Sequence, residues 1–127
     1  MDISYIGDLP GGSGMGSSSA FTAALVKALY EDMKKEINPY ELAKISYEIE
    51  KNKLNETVGI QDQIATSFGG FNSVVISKDG SYQISPVTLS TDSLENFIDR
   101  LVLVYTGQTR RATKIAESKV KNIKNPQ

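Results

Sequence analysis

The stretch Pro10-Gly11-Gly12-Ser13-Gly14-Met15-Gly16-Ser17-Ser18-Ser19-Ala20 decides how the rest of the chain is read. Four glycines and four serines fall within residues 10–19, a composition shared with flexible linkers. A linker would lead to a boundary, but this stretch leads into a strong helix pattern. From Ser17 to Glu36 the apolar residues Phe21, Ala24, Leu25, Ala28, Leu29 and Met33 recur at helical spacing, with Lys27, Glu31, Lys34 and Lys35 elsewhere. Upstream, residues 1–9 place Ile3, Tyr5 and Leu9 in near alternation and read as the end of a strand. The glycine-serine stretch therefore joins a strand to a helix N-terminus. Glycines 11, 12, 14 and 16 permit positive φ and let backbone N–H groups converge on a ligand. The free N–H groups and positive dipole end of the helix complete an anion site, best suited to phosphate. Ser17, Ser18 and Ser19 add hydroxyls for phosphate oxygens or a magnesium ion.

Working outward, Asn38-Pro39-Tyr40-Glu41 announces a second helix: Asn38 caps, Pro39 suits the first helical position, and Glu41 completes a capping-box-like pattern. Leu42, Ile45 and Ile49 form its stripe, which fades around residues 51–55. A loop leads to a short third helix with Ile64, Ala65 and Phe68, stopped by Gly69-Gly70. Residues 71–77 and 82–85 read as a hairpin turning at Lys78-Asp79-Gly80. A helical turn near residues 93–99 precedes a strand at 101–105 whose apolar run predicts burial on both faces, and a last helix starts near Thr109.

The 127 residues, 39% hydrophobic and 23% charged, suit one domain or a piece of a larger one. With no cysteine and no histidine, the sequence excludes disulfides, thiolate or imidazole metal sites and a Ser-His-Asp triad within itself. Net charge −1 argues against a dedicated nucleic-acid binder, although residues 107–127 carry six basic side chains against Glu117 alone, read as a solvated helix face. No run is long enough to span a bilayer and no secretion signal opens the chain, so no membrane partner and a cytoplasmic location are expected.

Two familiar phosphate loops fail against residues 10–20. A Walker A motif needs Gly-Lys-Ser/Thr, and the first lysine is Lys27. Gly12, Gly14 and Gly16 have the wrong spacing for the dinucleotide fingerprint. The whole string, P-x-x-x-G-(L/M)-G-S-S-(S/A)-A, instead resembles the second motif of the GHMP kinases, with Met15 where leucine is usual. Downstream, Gly59 to Asn72 (GIQDQIATSFGGFN) resembles the G-x-Q-D-Q-Y-A-A-x-F-G-G-F-N segment of the sugar-phosphate members, closest to the heptose 7-phosphate type. Leu103 to Arg110 (LVYTGQTR) is similar to the strand of that group ending in T-G-x-S/T-R.

The resemblance implies an α+β, GHMP kinase-like fold: the later part of a ribosomal protein S5 domain 2-like domain over residues 1–99, then the start of a ferredoxin-like domain over 100–127. It implies an ATP-dependent, magnesium-dependent kinase that transfers the γ-phosphoryl group to a hydroxyl of a sugar or sugar phosphate. Pro10, Gly11, Gly12, Ser13, Gly14, Met15, Gly16, Ser17, Ser18 and Ser19 would wrap the nucleotide phosphates. Ser18 and Glu50 would hold magnesium, with Ser17 and Glu48 as near alternatives. Asp62 would act on the accepting hydroxyl as the catalytic carboxylate, and Gln61, Asp62, Gly107 and Arg110 would contact substrate. Without that pattern, Asp62 reads first as a helix cap, Glu50 as a solvated surface residue, and Arg110 equally as an ion-pairing residue.

Family members are much longer chains, with a sugar-recognition segment before this region and a glycine-rich third motif after it. The chain is therefore expected to be an internal piece, weakly active alone and prone to self-association through unpaired edges and apolar faces. The competing reading is a non-catalytic nucleotide-binding or self-associating module derived from such a kinase.

Overall fold

A computed structural model describes residues 3–6 and 13–104 of the chain. The long helix α1, Ser17–Asp32, begins at Gly16, whose φ of 69° lies in the left-handed region. No side chain caps it, and its first helical hydrogen bond runs from the Ala20 N–H to the Gly16 carbonyl at 2.9 Å. At its other end Lys34 takes up φ 55°, while the Lys35 and Lys34 N–H groups donate to the carbonyls of Tyr30 and Glu31. That is the Schellman closure, made here without the usual glycine.

Helix α2, Pro39–Glu48, starts as its sequence dictates, with Asn38 Oδ1 accepting the Glu41 N–H at 3.0 Å. It runs into a π-helical turn over Ile49–Lys53, where the Leu54 N–H donates to Ile49 and the Glu56 N–H to Glu50, both at 3.0 Å. Helix α3, Gln61–Phe68, stops at Gly69, whose φ of 62° no β-carbon favours. The hairpin pairs β1, Asn72–Ile76, antiparallel with β2, Tyr82–Pro86, in a register that sets Val74 opposite Ile84. Asp79 closes its turn by accepting from the Ser81 hydroxyl and N–H, contacts that hold its carboxyl below the usual range. Helix α4, Thr91–Ile98, is capped by Ser90 and has no buried residue.

The core sits where α1, α2 and α3 meet. Ala23 and Val26 pack on Leu42, flanked by Tyr30, Ile37, Ile45 and Ile49. Because Ser19 meets Glu50 at one end and Val26 meets Leu42 further along, α2 runs back against α1. Tyr40 adds an edge contact to Phe68 and stacks on Tyr82, which ties the hairpin to the helices. Burying a side chain such as Leu42 or Ile64 contributes about 1.5–3 kcal/mol. Among the described residues no helix is long and apolar enough to cross a membrane.

Helices and strands are mixed as the α+β class requires, but three local expectations are corrected. First, α1 is rotated from its expected face. It buries Ser19, Thr22, Ala23 and Val26, while Phe21, Ala24, Ala28, Leu29 and Met33 are exposed. The inner face is the one that finds partners: Ser19 bonds to Glu50, and Ala23 and Val26 pack on Leu42. Second, residues 101–104 form no strand, and Leu101, Val102, Leu103 and Val104 are 60%, 83%, 79% and 72% exposed. A strand exists only through its pairing, and among the described residues β1 and β2 pair with each other alone. Third, residues 3–6 have no regular structure, and Tyr5 instead meets the Phe21 ring edge-on at 5.0 Å.

Candidate phosphate-binding site

The end of the glycine-serine stretch is built as its composition dictates. Gly14 and Gly16 both adopt positive φ, 77° and 69°, and deliver the chain into α1. The first turn of α1 carries no acidic residue and no side-chain cap, so the N–H groups of Ser17, Ser18 and Ser19 lack helical acceptors. A helix opening in this state attracts an anion. Ser13 and Ser17 are half-buried and Ser18 is exposed, while Ser19 faces inward. Pro10, Gly11, Gly12, Gly107 and Arg110 lie outside the described residues.

Asp62 stands at the mouth of the same helix. A β-carbon built on Gly16 would reach the Asp62 carboxyl carbon at 3.8 Å, an ordinary contact. It is thus the positive φ, and not lack of space, that reserves position 16 for glycine. Asp62 is exposed and sits in the first turn of α3 without capping it, so its carboxylate is free to face a ligand. Gln61 is exposed beside it, with its amide folded over Gly59.

Behind the helix mouth lies a buried polar cluster. Ser19 Oγ donates to Glu50 Oε2 at 3.0 Å. Gln63 Nε2 donates to Ser19 Oγ at 3.0 Å and to Glu50 Oε2 at 2.8 Å. Glu50 and Gln63 are both 0% exposed. Burying a carboxylate is costly unless it is well partnered, and the two donors meet that demand at one oxygen. The other oxygen, Glu50 Oε1, is buried without a partner, as are Gln63 Oε1 and the Ser46 hydroxyl one turn before Glu50.

The structure thus brings Gly16, Ser17, Ser18 and Asp62 to one helix mouth and sets Glu50 directly behind it. Ser19, on the inner face of α1, bonds to Glu50, while Ser18, on the outer face, is exposed. Nor is Glu50 a solvated surface residue; that description fits Glu48, which is exposed. Gln63 is the member of the cluster that sequence reasoning missed. Its signal was a polar residue beside Ile64, on the inward side of a short amphipathic helix. The groove of about 490 Å³ between α1, α2 and α3 is a different place, lined by Ala23, Lys27, Leu42 and Phe68 and by none of these site residues.

Comparison with known proteins identifies the family. The family description "GHMP kinases N terminal domain" matches residues 1–70. The chain is 37% identical to the D-glycero-alpha-D-manno-heptose 7-phosphate kinase of Campylobacter jejuni over 112 residues, which are 88% of this chain and 33% of that protein. It is 29% identical to a galactokinase of Clostridium perfringens over 74% of its own length and 25% of the relative's. Among solved structures, a D-glycero-D-manno-heptose 1-phosphate kinase from Bacteriodes thetaiotaomicron superposes with a TM-score of 0.66 at 33% identity, covering 69% of this chain and 29% of that one. The chain spans a third or less of the length of these relatives.

Proposed function

From the premise that the chain belongs to the GHMP kinases, we propose that it forms part of an ATP-dependent kinase acting on a hydroxyl of a sugar or sugar phosphate, of the heptose phosphate type. The observation that carries the proposal is the uncapped, acid-free N-terminus of α1, entered through Gly16 at positive φ with Asp62 at its mouth. Residues 10–19 hold the nucleotide phosphates through backbone N–H groups and the hydroxyls of Ser13, Ser17 and Ser18. Gln61, Asp62, Gly107 and Arg110 are the residues we assign to the sugar. In this reading residues 1–99 belong to the nucleotide-binding domain and residues 100–127 begin the second.

Phosphoryl transfer is chiefly positioning and charge neutralisation. The sugar oxygen bonds to the γ-phosphorus as the bond to the bridging β–γ oxygen breaks and ADP leaves. Asp62 orients the attacking hydroxyl and accepts its proton late, once the new bond is committed.

Magnesium is the cation such a reaction uses, and the residues present fit it. Glu50 Oε1 is a buried carboxylate oxygen that no protein donor satisfies, the hard ligand this ion takes. Among the described residues no three acidic or other strong ligands converge, so Glu50 would share the ion with phosphate oxygens and water, and Ser18, exposed at the helix mouth, would reach it from the phosphate side. When bound, it supplies neutralisation of the charge on the transferring phosphoryl group. The exposed run at Leu101, Val102, Leu103 and Val104 supports self-association of the chain.

The test is phosphoryl transfer from ATP to a panel of hexose and heptose phosphates, with and without Asp62→Asn. Transfer that falls about 100-fold or more in the variant, at unchanged nucleotide affinity, is expected. Equal transfer by both proteins would remove Asp62 from the chemistry.

A further inference from the structure

Gln63 is fully buried, next in sequence to the exposed Asp62, and its side-chain amide reaches two other segments of the chain. Its two amide protons go to Ser19 Oγ in the first turn of α1 and to Glu50 Oε2 in the π-helical turn after α2. The Ser19 hydroxyl spends its one proton on the same Glu50 oxygen. The direction of the network is therefore fixed. Turning the amide over would set Gln63 Oε1 against the carboxylate, and Ser19 has no second proton with which to compensate. Every donor in the cluster is spent on one side of Glu50. Its second oxygen is left enclosed and unpartnered.

We infer that Gln63 is a positioning residue for the cation site proposed above: by holding Glu50 Oε2 with neutral donors, it turns Oε1 toward the metal and leaves the charge of the carboxylate uncancelled. The inference rests on the magnesium reading of Glu50. The residue type matters to it. A lysine or arginine in this place would also hold the carboxylate, but as an ion pair, and would cancel the charge that attracts a divalent cation. An aliphatic residue would leave Oε2 a donor short and the carboxylate free to rotate. Glutamine alone among the long side chains supplies two protons and no charge. Partners that orient a metal ligand in this way are worth about 10–100-fold in metal affinity.

The experiment is a titration of the 127-residue chain with Mn²⁺, monitored by electron paramagnetic resonance, in the presence of a non-hydrolysable ATP analogue. Nucleotide binding without metal is measured in parallel. Gln63→Met keeps the length of the side chain and removes both donors. The expected result is a loss of about 10–100-fold in Mn²⁺ affinity with metal-free nucleotide binding unchanged. A folded Gln63→Met chain that binds Mn²⁺ as tightly as the parent would overturn the inference and reduce the cluster to a structural role. If Gln63→Met does not fold, Ser19→Ala, which removes one donor from the same oxygen, is titrated instead; a several-fold loss supports the inference and none refutes it. Should the parent chain bind the analogue equally with and without Mn²⁺, the magnesium reading itself fails and the inference falls with it, an outcome distinct from the first.

Discussion

The hydroxyl of Ser19 donates to Glu50 across 31 residues of sequence, at 3.0 Å and in the buried interior. This bond fastens the first turn of α1, where the glycine-serine stretch ends, to the π-helical turn after α2. Its neighbour Ser18 has no such duty and is exposed. Two adjacent serines of one motif thus point apart, one exposed at the helix mouth and one facing the core.

That division predicts opposite phenotypes. Ser19→Ala strands a Gln63 proton and leaves Glu50 Oε2 with a single donor, at a cost of about 1–3 kcal/mol. Ser18→Ala, on the surface, changes stability by no more than about 0.5 kcal/mol. Urea unfolding of the two variants reads the difference directly, and equal stabilities would contradict the placement of Ser19.

Gly16→Ala tests the loop exit. The substituted residue must hold φ 69°, which costs an L-residue about 1–2 kcal/mol, although the space beside Asp62 would admit the methyl group. The variant is expected to unfold at lower urea and to bind nucleotide more weakly, because strain relief turns the first N–H groups of α1 away from the phosphates. Gly80→Ala, also at positive φ but in the hairpin turn, should lose stability without losing nucleotide affinity. Parallel losses of affinity in both would detach the effect from the site.

Tyr82 predicts an alkaline limit. Partial burial, and then the nearby Tyr40, raise its phenol above the usual value of 10.0. Between the unfolded and folded values the unfolded chain has already released its proton and the folded chain has not, so stability falls as pH rises through that window. Below pH 10 the contribution is fully present. Unfolding measured at successive pH values from 9 to 11 should show the decline, and Tyr82→Phe should flatten it.

Much of this was legible in the sequence, for physical reasons that differ by element. Asn38, Pro39 and Glu41 specify a helix start by local hydrogen bonding alone, and the cap forms as written. Gly69 ends α3 and Asp79-Gly80 turns the hairpin because backbone conformation at those residues is locally decided. The rotation of α1 was not legible, since the inner face is chosen by its partners Leu42 and Glu50, a tertiary event. The burial of Glu50 was hidden for the same reason: only the partners Ser19 and Gln63, far away in sequence, make an inward carboxylate tolerable. Leu101 to Val104 read as a buried strand because apolar runs record a demand for partners without naming them.

In the function proposed, residues at the mouth of α1 bind the phosphates of a nucleotide. Its most direct test is calorimetric titration of the 127-residue chain with a non-hydrolysable ATP analogue, with and without Mg²⁺. Saturable binding that tightens with Mg²⁺ and is lost in Ser18→Ala is the predicted result. A chain shown to be folded by its circular dichroism, yet giving no saturable heat in either condition, would contradict it.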